Sequence, residues 1–321
     1  MDDASPRADG TLGGGSAPAQ VRGLLRSVTS DIVRTVEERP APPSGRIRDR
    51  VVWGFAQPLL GLRIWATDPE LRRRGLLPVL GLLAVCVAAA LQADGGWGRR
   101  LAVAQATLLA LAPVPSVLFA PSYARLAACA HERLGFGPAR PHIKGLARYL
   151  WELVLQGGCV SLGVAPLVAL AEAVPGVGRA WGWALGAAWG LHWIVVEGYD
   201  TGRVDPPGDG EPEAMHDEVS WIARACDGLG RRLGPLGRLV AGYGRFVDRL
   251  ARPWRPEMAL MERCGPESAG FGLATFALLA IPGLNLLFRP AVAVGAVHLR
   301  AHFDSPVEAG DGGLGRNRTD A

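Results

Sequence analysis

Long uncharged apolar runs alternate with charged stretches along this chain, and each run predicts a helix. Gly75 to Ala93, GLLPVLGLLAVCVAAALQA, carries no charge and is close to the length that crosses a bilayer. Arg72, Arg73 and Arg74 stand immediately before it and assign that end to the cytoplasmic side. Residues 101–120 form a second run, in which Pro113 and Pro115 predict a kink. A third run covers 153–178 and a shorter fourth covers 181–196, so close together that a helical hairpin is expected. Trp151, Trp181, Trp183, Trp189 and Trp193 are placed to anchor at headgroup level.

The last run, Phe271 to Leu299, is too long for one ordinary crossing at about 1.5 Å per helical residue. Pro282, Gly283, Asn285 and Pro290 interrupt it. A break at Pro282-Gly283-Leu284-Asn285 leaves two halves too short to span yet long enough to enter and return, which predicts a re-entrant hairpin. The competing reading is a kinked or tilted single span with Arg289 reaching a headgroup.

The stretches between the runs are polar in different ways. Residues 1–20 hold almost no bulky apolar side chain and are expected to be disordered. Val21, Leu24, Leu25, Val28, Ile32 and Val36 then recur at helical steps, a face suited to a membrane surface or a partner, or to a marginal solvated helix. PAPPSG (40–45) ends that helix. Pro121 to Tyr149 carries Arg125, Arg133, Arg140, Lys144 and Arg148 against Glu132 alone, and so reads as cytoplasmic. Within the polar stretch 197–269, Ile222, Cys226, Leu229, Leu233, Leu239, Tyr243, Phe246 and Leu250 oppose a face rich in Arg. That pattern fits an interfacial amphipathic helix pair broken near Gly234-Pro235, or a soluble helical hairpin. The organisation expected is an extension over 1–45, an integral membrane domain over 46–303 with a polar insert at about 203–255, and a disordered tail over 304–321.

Composition agrees with a membrane class. Apolar residues make up 49% and the mean hydropathy is +0.17. The net charge is +4, and Lys144 is the only lysine among 34 basic residues. Arg-rich usage also follows from GC-rich coding, so it does not by itself indicate anion or nucleic-acid binding, and no nucleic-acid motif is present. The five cysteines are odd in number and include no CxxC, which argues against a disulfide framework or a zinc site. The acidic, polar start predicts no cleaved signal peptide. His298 and His302 stand four apart and could share a ligand, but HExxH, GxSxG and P-loop signatures are missing. His192 lies in an apolar run, and Glu172 and Glu197 flank such runs. No catalytic residue, metal or cofactor is expected, and the chain is not expected to be an enzyme.

The pattern IPxLNxxxxPxxxxGAxxL, on Ile281, Pro282, Leu284, Asn285, Pro290, Gly295, Ala296 and Leu299, resembles the sulfate permease (CysZ-like) family, which is grouped with the etoposide-induced proteins. Residues 61–81, 118–135 and Gly270-Phe271-Gly272 are similar to other stretches of that family, in the same order. The resemblance covers roughly residues 50–303. It implies an all-α, multi-pass inner-membrane protein with full spans plus re-entrant or half-penetrating hairpins, assembled as a homo-oligomer in the lipid bilayer. It also implies passage of sulfate or a similar oxyanion, with anion binding at Gly61, Leu62 and Arg63. Arg289 stands where the family leads one to expect an apolar residue and could add a second anion contact. The insert at 203–255 and the first 45 residues depart from the family pattern. A non-transporting membrane scaffold of the same fold is the alternative expectation. The N-terminus and the large polar loop are expected on the cytoplasmic side.

Overall fold

The computed structural model describes residues 17–110, 119–207, 219–281 and 285–304. It is helical almost throughout, as the apolar periodicity requires. In chain order the helices are α1 (Ala17–Glu38), α2 (Ile47–Thr67), α3 (Pro69–Gln92), α4 (Trp97–Ala110), α5 (Ala120–Arg133), α6 (Leu146–Leu162), α7 (Ala165–Glu172) and α8 (Gly178–Thr201). After these come α9 (Trp221–Gly230), α10 (Gly237–Leu250), α11 (Arg255–Arg263), α12 (Gly265–Leu279) and α13 (Asn285–Asp304). A two-residue antiparallel bridge pairs β1 (Arg140–Pro141) with β2 (Val204–Asp205).

The centre of the bundle is α2, which is shorter on charge-free sequence than the runs that predict spans. It packs most extensively against α12 and α13, and α1 lies along it as well. The reason is small residues at the crossings. A Cβ on Gly61 would overlap the Ala291 carbonyl of α13, and one on Gly295 would overlap the Gln57 carbonyl of α2. Gly54 and Gly270 make the equivalent approach between α2 and α12. Without side chains between them, the backbones touch, and long side chains on either flank interdigitate around the contact. Trp53, Leu60, Ile64 and Trp65 of α2 are buried there. Arg50 closes the end of the α2–α12 contact with a forked pair to the buried Glu267, at 2.6 and 2.9 Å.

Local chemistry sets the joint from α2 to α3. Asp68 accepts from the backbone amides of Glu70 and Leu71 at 2.9 and 3.0 Å, and Pro69 occupies the first turn where its missing N–H is not needed. Beyond that cap, α3 turns its apolar side outward. Leu77 is 65% exposed and Leu91 is 67% exposed, with Leu80, Leu83, Val85 and Val87 also open. Residues 146–172, which form α6 and α7, do the same with Leu150, Trp151, Val154, Leu167 and Leu170. Among the described residues these two stretches, 69–92 and 146–172, are long and apolar enough to cross a membrane; only 28% and 11% of their most apolar windows are buried. A helix in the core of a soluble protein buries such a face instead of exposing it.

Several expectations are revised. The short fourth run, 181–196, is the middle of the longer helix α8, while 271–299 is divided between α12 and α13. The run 101–120 is helical to Ala110, and 111–118 lie outside the described residues. Residues 17–20, expected to be disordered, are the first turn of α1; residues 1–16 lie outside the described residues. Trp189 and Trp193 are buried instead of standing at a surface. Trp189 donates to the Cys159 carbonyl at 3.2 Å and ties α8 to α6. Trp151, Trp181 and Trp183 are exposed.

The Gly61 contact makes the first prediction. Gly61→Val forces α13 away from α2 and should lower stability by about 3 kcal/mol, the upper end of ordinary overpacking. Gly157→Ala, on α6 with open space around it, should raise stability by roughly 1 kcal/mol through helix propensity. Thermal unfolding of the two variants in detergent reads both signs in one experiment.

Candidate functional site

Where α5, α6, α8, α12 and α13 come together they leave a cavity of about 110 Å³, room for several water molecules. Its lining is unusual for the interior of an apolar bundle. Lys144, Arg203 and Arg289 supply positive charge; Glu152, Glu197 and Asp200 supply negative charge. Three of the six, Glu197, Asp200 and Arg203, come from the end of α8 and the second residue beyond it, because a spacing of three brings them to one side of the chain.

Lys144 is the hub. Its side chain is 4% exposed, and its ammonium donates to Glu152 at 2.8 Å and to Asp200 at 3.0 Å. Burial by itself would lower the Lys144 pKa, but the carboxylates of Asp200 and Glu152 outweigh it and the net shift is upward. Lys144 is therefore a fixed cation that bolts the loop before α6 to α8. Arg148 adds a second partner to Glu152 at 3.1 Å. Arg289 lies 3.7 Å from Glu197, an ion pair looser than a hydrogen bond. Arg203 reaches from the cavity to the fully buried Glu257 at 3.4 Å, and Arg300 reaches the same carboxylate at 3.4 Å from α13. Positive and negative groups thus alternate from the cavity into the bundle.

Tyr123 Oη, His142 Nε2 and Thr275 Oγ1 line the cavity as buried polar atoms with no hydrogen-bond partner among the described residues. Such groups are costly unless something polar meets them. The Tyr123 hydroxyl is pushed up to about 12 by burial and so remains a donor. His142 Nδ1 lies 2.9 Å from Asp205 on the short bridge. Burial, and next the Arg203 charge, hold the His142 pKa below its ordinary value even though Asp205 opposes the shift. Its ring is neutral near pH 7, with Nδ1–H toward Asp205 and Nε2 as an acceptor.

The residues singled out from sequence fall in different places. Gly61, Leu62 and Arg63 lie inside α2, so the Gly61 and Leu62 amides are spent on helix hydrogen bonds and Gly61 is packed against α13. Arg63 donates to the Val36 carbonyl of α1 at 2.8 Å and does not line the cavity. The backbone nest expected for a dianion at these three residues is therefore not formed. Arg289 does line the cavity. Pro290 is inside α13, beside Gly75, instead of at the hairpin turn. Asn285 begins α13 and α12 ends at Leu279; Pro282 and Gly283, expected at the turn, lie outside the described residues. The His298 and His302 rings are 4.6 Å apart, with His298 Nδ1 on Gln57 at 2.8 Å and His302 Nδ1 on the His298 carbonyl at 2.9 Å. No cluster of His, Cys, Asp or Glu among the described residues could hold a metal ion.

Sequence reasoning passed over Lys144, Glu152 and Asp200 as site residues. One signal was available: a chain that uses Arg everywhere else keeps a single Lys, and a compact ammonium with three donors suits two buried carboxylates better than a planar guanidinium. No family model, curated protein or solved structure matches this chain. The resemblance described above rests on its four short stretches of sequence.

Two measurements follow from this geometry. Lys144→Met leaves Glu152 buried without its shortest partner and should cost about 3–5 kcal/mol, the range for breaking one side of a buried pair. In the folded protein His142 binds its proton more weakly than in the unfolded chain. Its contribution to stability is thus complete above about pH 6.5 and declines as the pH falls below that value. Melting temperature should drop between pH 7.5 and 5, and His142→Gln should flatten part of that slope; an unchanged slope would show that His142 is not desolvated as described.

Proposed function

We propose that this chain is a multi-pass membrane protein that passes sulfate or a similar small oxyanion across the bacterial inner membrane, and that the charged cavity is its anion station. The observation that carries the reading is the pairing of an outward apolar surface with an inward, water-sized, charged cavity. A soluble protein has no reason to present Leu77, Leu91, Trp181 and Trp183 to solvent while placing six charges inside. A membrane protein has reason for both, since buried ionisable groups between helices mark the routes of polar solutes.

The chemistry is exchange of partners. An oxyanion entering beside Arg289 substitutes for Glu197, and the Tyr123 and Thr275 hydroxyls are available to donate to it. Lys144 stays bound to Glu152 and Asp200 and offsets part of their negative charge, so the lining, three cations against three carboxylates, does not offer a site so strong that the ion cannot leave. The break between α12 and α13 supports a half-penetrating hairpin, with Arg289 carried into the cavity near the start of its second arm. No ATPase motif is present in the sequence, so movement follows a gradient or a coupled ion.

A non-transporting scaffold is the second reading, favoured by one observation: α1 presents Val21, Leu24, Leu25 and Val33 to the outside, a face open to a partner. Sulfate flux into liposomes separates the two. Wild-type protein should carry sulfate, and Arg289→Ala should reduce the rate about tenfold or more, as expected for loss of one charge-assisted contact. Arg63→Ala should leave the rate near wild type, because Arg63 holds α1 and does not face the cavity. Absence of flux in correctly inserted wild-type protein would favour the scaffold.

A further inference from the structure

The hairpin of α9 and α10 carries a second basic site, separate from the charged cavity. Its turn is closed by Gly230 against Gly237, and beside it opens a shallow pocket of about 480 Å³ lined by Arg231, Arg238 and Arg245. The chain has no acidic residue between Asp227 and Asp248. Asp227 faces Arg245 at 3.4 Å, and among the described residues no carboxylate pairs with Arg231 or Arg238 on the pocket wall. Around the same turn Leu229, Leu233, Leu236 and Leu239 are exposed, Leu239 to 72%. Four exposed leucines on the same hairpin turn as three arginines is an arrangement that neither water nor a free anion explains: water disfavours the leucines, and an inorganic anion has nothing to offer them.

The attachment of the hairpin agrees with a lipid neighbour. Tyr243 of α10 donates to the Leu162 carbonyl at the end of α6 at 2.8 Å, and Val247 packs with Cys159 and Trp189. The hairpin is therefore anchored through α10 on the stretch 146–172, the less buried of the two long apolar segments.

We propose that the α9–α10 turn is a binding site for an anionic phospholipid. The phosphate is held by Arg231, Arg238 and Arg245, and the acyl chains lie against the four leucines. The ligand is a lipid and not soluble phosphate, because only a lipid satisfies both halves of the site. This inference depends on the membrane placement proposed above and is independent of transport.

The test uses the full-length protein in vesicles, with a photo-crosslinking amino acid at position 236 and, in a parallel protein, at position 83 on the exposed side of α3. Radiolabelled phosphatidylglycerol in a phosphatidylcholine background should be captured at position 236 well above its share of the bilayer, and at position 83 only in proportion to it. In Arg231→Gln/Arg238→Gln/Arg245→Gln, capture at 236 should fall toward that share, a loss of up to about a hundredfold in preference for three surface-held cations. Because these arginines are exposed, the variant should keep its helical content, checked by circular dichroism. Proportional capture at both positions in the wild type, crosslinking of 236 to a second copy of the chain, or loss of capture on adding inorganic phosphate would each overturn the assignment. No lipid capture at either position would instead remove the membrane placement itself.

Discussion

Backbone-to-backbone contact at the α2 crossings is the constraint on which the rest depends. Gly61 against Ala291 and Gly295, and Gly54 against Glu267, bring three helices closer than any side chain would allow. Dispersion and close packing then hold the centre together, and they do so without relying on the hydrophobic effect between helices. Because α2, α12 and α13 are fixed in this way, the first turns of α13 reach the end of α8. Arg289 and Glu197 meet there, on the wall of the cavity.

Charge is the second organising term. Glu267, Glu257 and Glu152 are all buried, and each is met by an arginine or by Lys144. Buried pairs of this kind add little net stability over an apolar packing but penalise any arrangement that separates them. They therefore fix which helices are neighbours: α2 with α12 through Arg50, α6 with α8 through Lys144, and α8 with α11 and α13 through Glu257. The same alternation of sign that specifies the bundle also lines the cavity, so structure and proposed transport draw on one set of residues.

The sequence showed its outer surface more clearly than its centre. The runs at 75–93 and 153–178 fall largely on α3 and on α6 and α7, since helices with exposed apolar faces announce themselves by uninterrupted apolar residues. The amphipathic pair near Gly234-Pro235 and the break before Asn285 were legible for the same reason: periodicity and helix breakers are local signals. The role of α2 was not legible. Its glycines act by touching residues more than 200 positions away, and a glycine in a helical pattern gives no sign of which carbonyl it meets. Arg63 illustrates the converse. Beside Gly61 and Leu62 it suggested an anion nest, yet within a continuous helix those amides have no free direction. Lys144 was visible only as a compositional oddity, and its partners 8 and 56 residues away could not be read without the fold.

The account stands on charge turned inward and apolar surface turned to lipid. Alkaline carbonate extraction of membranes from cells expressing the full chain tests this most directly, because it strips peripheral proteins and leaves integral ones. Retention of the protein in the membrane pellet is the predicted result. Release into the supernatant as a soluble, monodisperse species would contradict it, since Leu77, Leu91 and Trp183 could not then face hydrocarbon.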